Sequence, residues 1–383
     1  MNNFTFHNST MIFFGAGQIA EIAANIPSDK KVLVTYGGGS IKKNGVYDQV
    51  CSALENHTWG EFSGIEPNPQ YNTLMKAVDM IAAEGYDYLL AVGGGSVVDG
   101  TKFIAAAACF EGENKWDICS KHAPVKSALP LSCVLTLPAT GSETNIGAVV
   151  TNGSTKLAFM SPFVRPEIAI LDPKTTLSLS PRQSANGVVD AFVHVMEQYL
   201  TYPVNAKVQD RFAEGLLLTL IEEGPKVLTT PDDLDVRANI MWAATQGLNG
   251  LIGVGVPQDW ATHMIGHELT GNYRIDHART LSIVLPAVMQ VRREQKKGKL
   301  LQYAERVWNI TEGSDEQRID AAIAQTKAFF KAMDVPTSLT DVDLNEESIE
   351  QLIATLTANG MTQLGEQGEI TPEIAKEILM VAL

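Results

Sequence analysis

Two segments of this chain pass from a short apolar run directly into Gly-Gly-Gly-Ser and then into a helical pattern. The first runs from Lys31 to about Leu54 and the second from Tyr88 to Ala108, and further apolar runs follow at 132–137 and 168–171. Short strands that alternate with helices normally pair in parallel and are covered by those helices on both faces. The first half is therefore predicted to be an α/β domain with a mainly parallel sheet.

From about Pro181 onward the apolar residues recur at helical spacing instead. Prolines are placed between the repeating stretches or at their ends, where a residue without an amide N–H is tolerated. A chain of 383 residues exceeds the usual size of a single core. We predict an α/β domain over residues 1–181 and an all-helical domain over 182–383, with a ligand-binding cleft between them.

Charge and composition exclude several kinds of partner. The net charge of −15 disfavours nucleic acid and anionic membranes, because neither offers cations to the excess carboxylates. No apolar run approaches the roughly 20 residues of a membrane-spanning helix, and the N-terminal residues lack the pattern of a secretory signal. The four scattered cysteines contain no Cys-x-x-Cys pair, which is typical of reduced thiols. We expect a cytoplasmic protein with no nucleic-acid or membrane partner.

The glycine-rich turn at Gly93-Gly94-Gly95-Ser96 is suited to binding a phosphate. Glycine lets the backbone approach a phosphate closely, and the N-terminus of the following helix offers free N–H groups and a positive dipole end. The spacing differs from Gly-x-Gly-x-x-Gly, so a plain tight turn is the alternative. A third turn, from Thr136 to Glu143, has hydroxyls and a glycine after an apolar run and could line the same cofactor site.

The earlier turn, Gly37-Gly38-Gly39-Ser40, bears on the choice of nucleotide. Folds that bind NAD often place a carboxylate near the end of the second strand, where it accepts the ribose hydroxyls. No acidic residue lies between Val34 and Lys43, whereas glycines, a serine and two lysines do. This composition favours the 2′-phosphate of NADP(H). A solvated helix face is the alternative explanation for the two lysines, Lys42 and Lys43.

Acidic and histidine side chains recur at helical spacing in the second half. Asp190 and His194 are four residues apart, as are His263 and His267, so each pair shares one face of a helix; His277 follows. Carboxylate and imidazole ligands suit Zn(II) or Fe(II) with a position left open for substrate. Spacing alone leaves all five residues as candidate ligands, with hydrogen-bonded core histidines as the alternative. A zinc peptidase is disfavoured because the residue after His263 is methionine, not glutamate.

Together these motifs resemble those of the iron-containing (group III) alcohol dehydrogenases, and within them the NADPH-dependent aldehyde reductases and butanol dehydrogenases. The likeness rests on GGGSVVDGTK at 93–102, TLPATGSE at 136–143, GVVDAFVHVMEQY at 187–199 and the run from His263 to Thr280. It implies a dehydroquinate synthase-like fold and a homodimer. It also implies hydride transfer between NADP(H) and small aldehydes or alcohols, assisted by one divalent metal, Fe(II) or Zn(II).

The resemblance also implies roles for individual residues. The metal ligands would be Asp190, His194, His263 and His277. His267 would lie beside the nicotinamide and substrate as a proton relay, and Asp99 would lie at the nicotinamide end. The residues implied to bind the cofactor are Gly37, Gly38, Ser40, Asn68, Gly94, Gly95, Ser96, Asp99, Thr136, Thr140 and Lys156. Among them Gly38 and Ser40 would face the 2′-phosphate, and members that use NAD tend to carry an aspartate at the position of Gly37.

Two other functions fit parts of the same pattern. A redox-silent synthase or lyase of the dehydroquinate synthase type would need a basic pocket for an anionic substrate. Lys and Arg are not clustered near the ligand motifs of the helical half, which disfavours that function. A non-catalytic protein stabilised by a metal is the other alternative.

Overall fold

The computed structural model of the protein describes residues 1–153 and 155–383. These residues form two compact units, one of His7–Leu179 and one of Ser180–Leu383 together with Met1–Phe6. The first unit contains a parallel sheet with helices and the second is helical, as predicted. The predicted division into an α/β domain over 1–181 and a helical domain over 182–383 stays a prediction as far as the function of each part is concerned.

The α/β unit is built on a six-stranded sheet in which every pair of strands is parallel, in the order β1-β8-β5-β4-β2-β3. A separate antiparallel hairpin is formed by β6 and β7. The strands are β1 Met11–Phe14, β2 Lys31–Tyr36, β3 Thr58–Phe62, β4 Tyr88–Gly94, β5 Leu131–Leu137, β6 Gly147–Asn152, β7 Thr155–Met160 and β8 Ile168–Leu171. The helices are α1 Ile22–Asn25, α2 Val46–Ala53, α3 Tyr71–Glu84, α4 Gly95–Cys109 and α5 Asp117–Ser120.

The central strands β2 and β4 are buried along almost their whole length. Such strands are covered on both faces, which explains their continuous runs of Val, Leu and Ala. Because β5, β4 and β2 are neighbours and run in the same direction, their carboxyl ends lie at one edge of the sheet. The three glycine- or hydroxyl-rich turns that follow these strands therefore begin at the same edge.

The helical unit is made of nine α-helices within the described residues, with two apolar clusters of buried side chains. Its first helix, α6, is buried along almost its whole length and starts with a capping box formed by Ser180 and Gln183. The helices are α6 Pro181–Tyr199, α7 Lys207–Thr229, α8 Leu234–Gly247, α9 Ala261–Tyr273, α10 His277–Val291, α11 Lys297–Arg306, α12 Asp315–Ala332, α13 Glu346–Ala358 and α14 Pro372–Val381. Because α6 is buried on every side, its polar residues must find partners inside the protein.

The first six residues of the chain belong to the helical unit. The N–H of Asn2 donates to the carbonyl of Gly255 at 2.9 Å. Phe4 lies so close to Gly255 that a side chain at that glycine would collide with it, and Phe6 lies beside Gly250. This segment therefore covers the glycine-rich loop that precedes α9.

The expectation that prolines lie between helices or at their ends is wrong at two positions. Pro225 lies inside α7 and Pro286 inside α10. An internal proline removes a backbone hydrogen bond at a cost of about 3 kcal/mol. In α10 the proline is surrounded by buried apolar residues, including Leu285 and Val288, whose burial offsets that cost. None of the helices in the described ranges combines the length and the apolar character needed to cross a bilayer.

Candidate metal centre and nucleotide-binding edge

Three helices of the helical unit direct a carboxylate and three imidazoles toward one another. Helix α6 supplies Asp190 and His194, α9 supplies His263, and α10 begins with His277. The distances from Asp190 Oδ1 to Nε2 of His194, His263 and His277 are 3.8, 3.9 and 3.6 Å. The rings of His194 and His263 are stacked with their centroids 4.6 Å apart. The three imidazoles thus gather around the Asp190 carboxylate, and the ligand atoms of Asp190, His263 and His277 form the tightest group.

The arrangement fits a divalent cation. Asp190 Oδ1 is buried and accepts no hydrogen bond from the residues that the structure describes. An ionised carboxylate in that situation is costly unless a cation compensates its charge. One ligand atom each from Asp190, His263 and His277 lie within 4.8 Å of one another. A metal among these atoms would satisfy the Asp190 oxygen and use the neutral imidazoles as donors.

His267 lies one helical turn after His263 on α9 and is almost fully buried. Its ring centroid is 5.2 Å from that of His277 and 6.3 Å from that of His263. The imidazole is therefore next to two of the proposed ligands. This position is compatible with the proton-relay role that the resemblance implies.

Glu197 is a functional candidate that the sequence analysis missed. It follows His194 by three residues on α6 and is only 3% exposed. Its Oε1 accepts the N–H of Thr262 at 2.6 Å, and its Oε2 contacts Nδ1 of His263. Burial and the nearby charge of Asp259 raise the pKa of Glu197, whereas the backbone N–H donors of Thr262 and His263 favour its ionised form. Its place on the ligand-bearing face of α6 was the available signal in the sequence.

The turn before α9 is held by buried charges. Asp259 Oδ1 accepts the N–H of Ala261 at 2.8 Å, and Asp259 Oδ2 is 2.5 Å from the ammonium of Lys296. Glu366 pairs with the same ammonium at 2.9 Å. Although burial opposes the shift, hydrogen bonds from its neighbours and the Lys296 charge hold the pKa of Asp259 below its ordinary value. Next to it, Trp260 has a left-handed backbone (φ 62°), and its ring centroid is 5.4 Å from that of His263.

At the carboxyl edge of the sheet, the turn after β4 meets two other predicted cofactor residues. Helix α4 begins at Gly95, immediately after the strand ends. The Asn68 N–H donates to Ser96 Oγ at 3.3 Å, and Asn68 itself has a left-handed backbone. A Cβ on Gly95 would collide with Thr140, so the turn after β5 packs directly against this turn. Glycine at 95 is required by that close approach.

The turn after β2 leaves little space at its first glycine and more at the second. A Cβ on Gly37 would lie 3.1 Å from the carbonyl oxygen of Ile65, whereas a Cβ on Gly38 would meet no described atom within 4 Å. Ser40 begins a short 3-10 turn. Lys42, which the sequence placed near a 2′-phosphate, pairs with Glu61 at 3.0 Å and is therefore already engaged.

Two charged residues of α4 hold the neighbouring turn and hairpin. Asp99 Oδ1 accepts the Ser142 hydroxyl at 2.5 Å, and Oδ2 accepts the N–H of Val149 at 2.9 Å. Burial raises the pKa of Asp99. Lys102, which the sequence analysis missed, is fully buried and donates to Asn145 Oδ1 at 2.9 Å; burial lowers its pKa to about 8. These contacts give both residues a structural role, and the place of Asp99 beside the nicotinamide stays a prediction.

The remaining predicted cofactor residues lie on strands. Thr136 is the sixth residue of β5, near the edge where the turns begin. Lys156 lies on β7, opposite Thr151 of β6. Their roles toward the cofactor also remain predictions.

Comparison with known proteins covers both units. Residues 9–173 match the family described as iron-containing alcohol dehydrogenase, and residues 184–381 match the C-terminal region of the Fe-containing alcohol dehydrogenase family. The chain is 60% identical to the NADPH-dependent aldehyde reductase YqhD of Escherichia coli (strain K12), over 100% of both chains. It is 39% identical to the probable NADH-dependent butanol dehydrogenase 1 of Bacillus subtilis (strain 168), again over 100% of both.

Solved structures agree with this result. The substrate- and cofactor-free form of the aldehyde reductase YqhD from E. coli superposes with a TM-score of 0.94 at 58% identity, over 100% of both chains. The NADH-dependent butanol dehydrogenase A of Thermotoga maritima superposes with a TM-score of 0.95 at 37% identity, over 100% of this chain and 99% of that one. The resemblance seen in the motifs is confirmed, and this chain belongs to the iron-containing alcohol dehydrogenase family.

Proposed function

We propose that this protein is a metal-dependent aldehyde reductase that interconverts small aldehydes and primary alcohols by hydride transfer with NADP(H). The metal is Fe(II) or Zn(II), held by Asp190, His194, His263 and His277. The observation that carries the proposal is the buried Asp190 oxygen, which lies within 4 Å of three imidazole nitrogens in a chain of this family. A carboxylate with imidazoles is a donor set for a borderline divalent metal.

The cofactor would bind at the carboxyl edge of the sheet. The residues proposed to contact it are Gly37, Gly38, Ser40, Asn68, Gly94, Gly95, Ser96, Asp99, Thr136, Thr140 and Lys156. Three turns that start from neighbouring parallel strands support this placement. The relatives differ by name in their use of NADPH and NADH. The absence of an acidic residue between Val34 and Lys43 supports NADP(H) for this chain.

The bound metal and cofactor would supply one part of the reaction chemistry, and the residues of the chain supply the other. When bound, the metal would supply a Lewis acid toward the substrate oxygen, and NADPH would supply the hydride. The chain fixes the donor atoms on buried helices, so little reorganisation is needed during the reaction. His267 supplies or holds the proton that the product oxygen requires.

The role of His267 predicts a separation of metal binding from rate. We expect His267→Ala to keep its full metal content and to lose about 100-fold in kcat, because water in the vacated space carries the proton less efficiently than a positioned imidazole. Elemental analysis and steady-state kinetics on the same sample measure both quantities. Loss of the metal from this variant would show that His267 is a ligand and would contradict the proposed role.

The proposed activity is tested by mixing the purified protein with NADPH and butanal and following the absorbance of NADPH with and without a chelator. We expect oxidation of NADPH that the chelator abolishes and that added Fe(II) or Zn(II) restores. A redox-silent synthase or a non-catalytic protein would leave NADPH unchanged, and that outcome would refute the proposal. Metal analysis of protein purified without added metal would identify the ion.

We also propose that the protein is a cytoplasmic homodimer. All four cysteines are free thiols, which is typical of a reducing compartment. Strand β1 forms one edge of the sheet and exposes the side chain of Met11, which supports pairing of this edge with a second copy. Sedimentation equilibrium at several protein concentrations measures the assembly, and a monomer at all of them would contradict it.

A further inference from the structure

Glu197 makes two kinds of contact with the start of α9, and each oxygen of its carboxylate serves one of them. Oε1 accepts the N–H of Thr262 at 2.6 Å and lies 3.4 Å from the N–H of His263. Oε2 contacts the ring nitrogen Nδ1 of His263. The residue is one helical turn beyond His194, on the same face of α6 as Asp190.

The ring contact determines which nitrogen of His263 can bind a metal. A neutral imidazole carries one proton, and a carboxylate beside Nδ1 favours the tautomer with the proton on Nδ1. The lone pair is then on Nε2, the atom that lies 3.9 Å from Asp190 Oδ1. A carboxylate in this position also makes the imidazole a stronger donor to a metal.

The backbone contacts fix the position of the ring as well as its tautomer. The N–H groups of Thr262 and His263 belong to the first turn of α9, where no carbonyl of the helix is available to them. The carbonyl of Glu197 also accepts the N–H of Asp259 at 2.9 Å, on the other side of Trp260. One residue of α6 thus holds the segment before α9, the first turn of that helix and the ring of His263.

We propose that Glu197 is the positioning residue for the metal site, setting the tautomer and the orientation of His263. The proposal rests on the proposed function, because it assumes that His263 is a metal ligand. A carboxylate needed only to cap α9 would use one oxygen. The second oxygen of Glu197 instead contacts Nδ1 of His263, the ring nitrogen opposite the one that lies near Asp190.

Glu197→Gln provides a sharp test because it changes the chemistry and keeps the shape. If the amide oxygen stays on the Thr262 N–H, the amide N–H₂ faces Nδ1 and favours a proton on Nε2, where it blocks the metal. If the amide turns over, two N–H donors face each other at Thr262. Either orientation therefore loses the contact with the Thr262 N–H or the favourable contact with His263 Nδ1. We expect the affinity for Zn²⁺ to fall by about 10- to 100-fold.

The measurement is a competition for Zn²⁺ between the full-length protein and a chelator of known affinity, with kcat and KM recorded in saturating Zn²⁺. Glu268→Gln is the matched control, because Glu268 is a buried carboxylate like Glu197 but lies on α9, where its Oε1 accepts the side-chain N–H of Asn359 at 2.8 Å. We expect the control to bind Zn²⁺ like the wild type. Melting of the metal-free proteins monitors the helix cap separately from the metal.

The outcomes separate the inference from the function on which it rests. Equal Zn²⁺ affinity of wild type and Glu197→Gln would overturn the inference alone. A wild-type protein that binds no Zn²⁺ would overturn the proposed metal function and the inference with it. A fall in affinity of the same size in Glu268→Gln would also overturn the inference, because it would reflect any loss of a buried carboxylate.

A second measurement needs no variant of Glu197. In the Zn²⁺-loaded wild type, labelled with ¹⁵N at histidine, we expect a histidine Nδ1–H signal at low field that exchanges slowly with solvent, as for a proton buried against a carboxylate. Histidine spectra without such a proton would overturn the inference even if Glu197→Gln failed to fold.

Discussion

Asp190→Asn is expected to lower kcat/KM for aldehyde reduction by about 1,000-fold or more, roughly 4 kcal/mol of transition-state stabilisation. Asp190 is the one anion among the four proposed ligands. Its Oδ1 lies within 4 Å of an imidazole nitrogen of each of the three histidines. Asparagine keeps the shape and one oxygen but removes the charge that offsets the cation. Elemental analysis should show that the variant has lost most of its metal, and kinetics with NADPH and butanal should show the loss of rate.

The same substitution should act in the opposite direction on the stability of the metal-free protein. Without a cation, Asp190 Oδ1 is a buried acceptor with no hydrogen bond from the described residues. Removing that charge relieves a desolvation penalty, so metal-free Asp190→Asn should melt at the same temperature as the metal-free wild type or above it. Asp233→Asn, a conservative change at the N-cap of α8, is the control for loss of a negative charge. Full metal content and full rate in Asp190→Asn would exclude Asp190 as a ligand.

Gly38→Asp is expected to lower kcat/KM for NADPH by about 100-fold and to affect NADH much less. The proposal places Gly38 beside the 2′-phosphate, which carries a charge of about −1.5 to −2. Two like charges about 4 Å apart repel by up to about 4 kcal/mol near a protein surface, of which 100-fold requires about 2.7 kcal/mol. Gly38 is the better position for this test, because a Cβ at Gly37 would press on the Ile65 carbonyl.

Gly38→Asn separates the effect of charge from the effect of size. The amide fills the same space without repelling a phosphate, so the ratio of kcat/KM for NADPH to that for NADH should change far less than in Gly38→Asp. Steady-state kinetics with each cofactor at a fixed aldehyde concentration give the two ratios. Equal losses in the two variants would mean that steric contact, not the 2′-phosphate, dominates at this position.

The sequence predicts those strands and helices whose apolar pattern is continuous over a few neighbouring residues. The strands β2 and β4 and the helix after Gly94 were evident because a buried strand, a glycine turn and an apolar helix follow one another directly. The helix α10 has a weaker local signal, because its first turn after His277 is polar and Pro286 lies inside it. The short strands β1 and β3 were missed, since edge strands are less buried and carry a weaker apolar signal.

In the candidate site, too, contacts between neighbours on one helix could be predicted, whereas contacts between distant segments could not. The pairs Asp190–His194 and His263–His267 could be recognised because helical spacing relates them. The contact between Glu197 and His263 could not, because 66 residues separate the two in the chain. The contact between Lys102 and Asn145 spans 43 residues and was missed for the same reason. A histidine pattern identifies candidate donors, whereas their hydrogen-bond partners depend on tertiary structure.

The packing of Met1–Phe6 on the helical unit has a consequence for the order of folding. That unit is assembled from two pieces of chain separated by the whole α/β unit, whereas the α/β unit is one continuous segment, His7–Leu179. During synthesis the α/β unit can complete its contacts first. Met1–Phe6 can pack only after the loop around Gly255 has left the ribosome. Closing so long a loop slows the last step. A fragment that starts at Ser180 would therefore leave this loop uncovered.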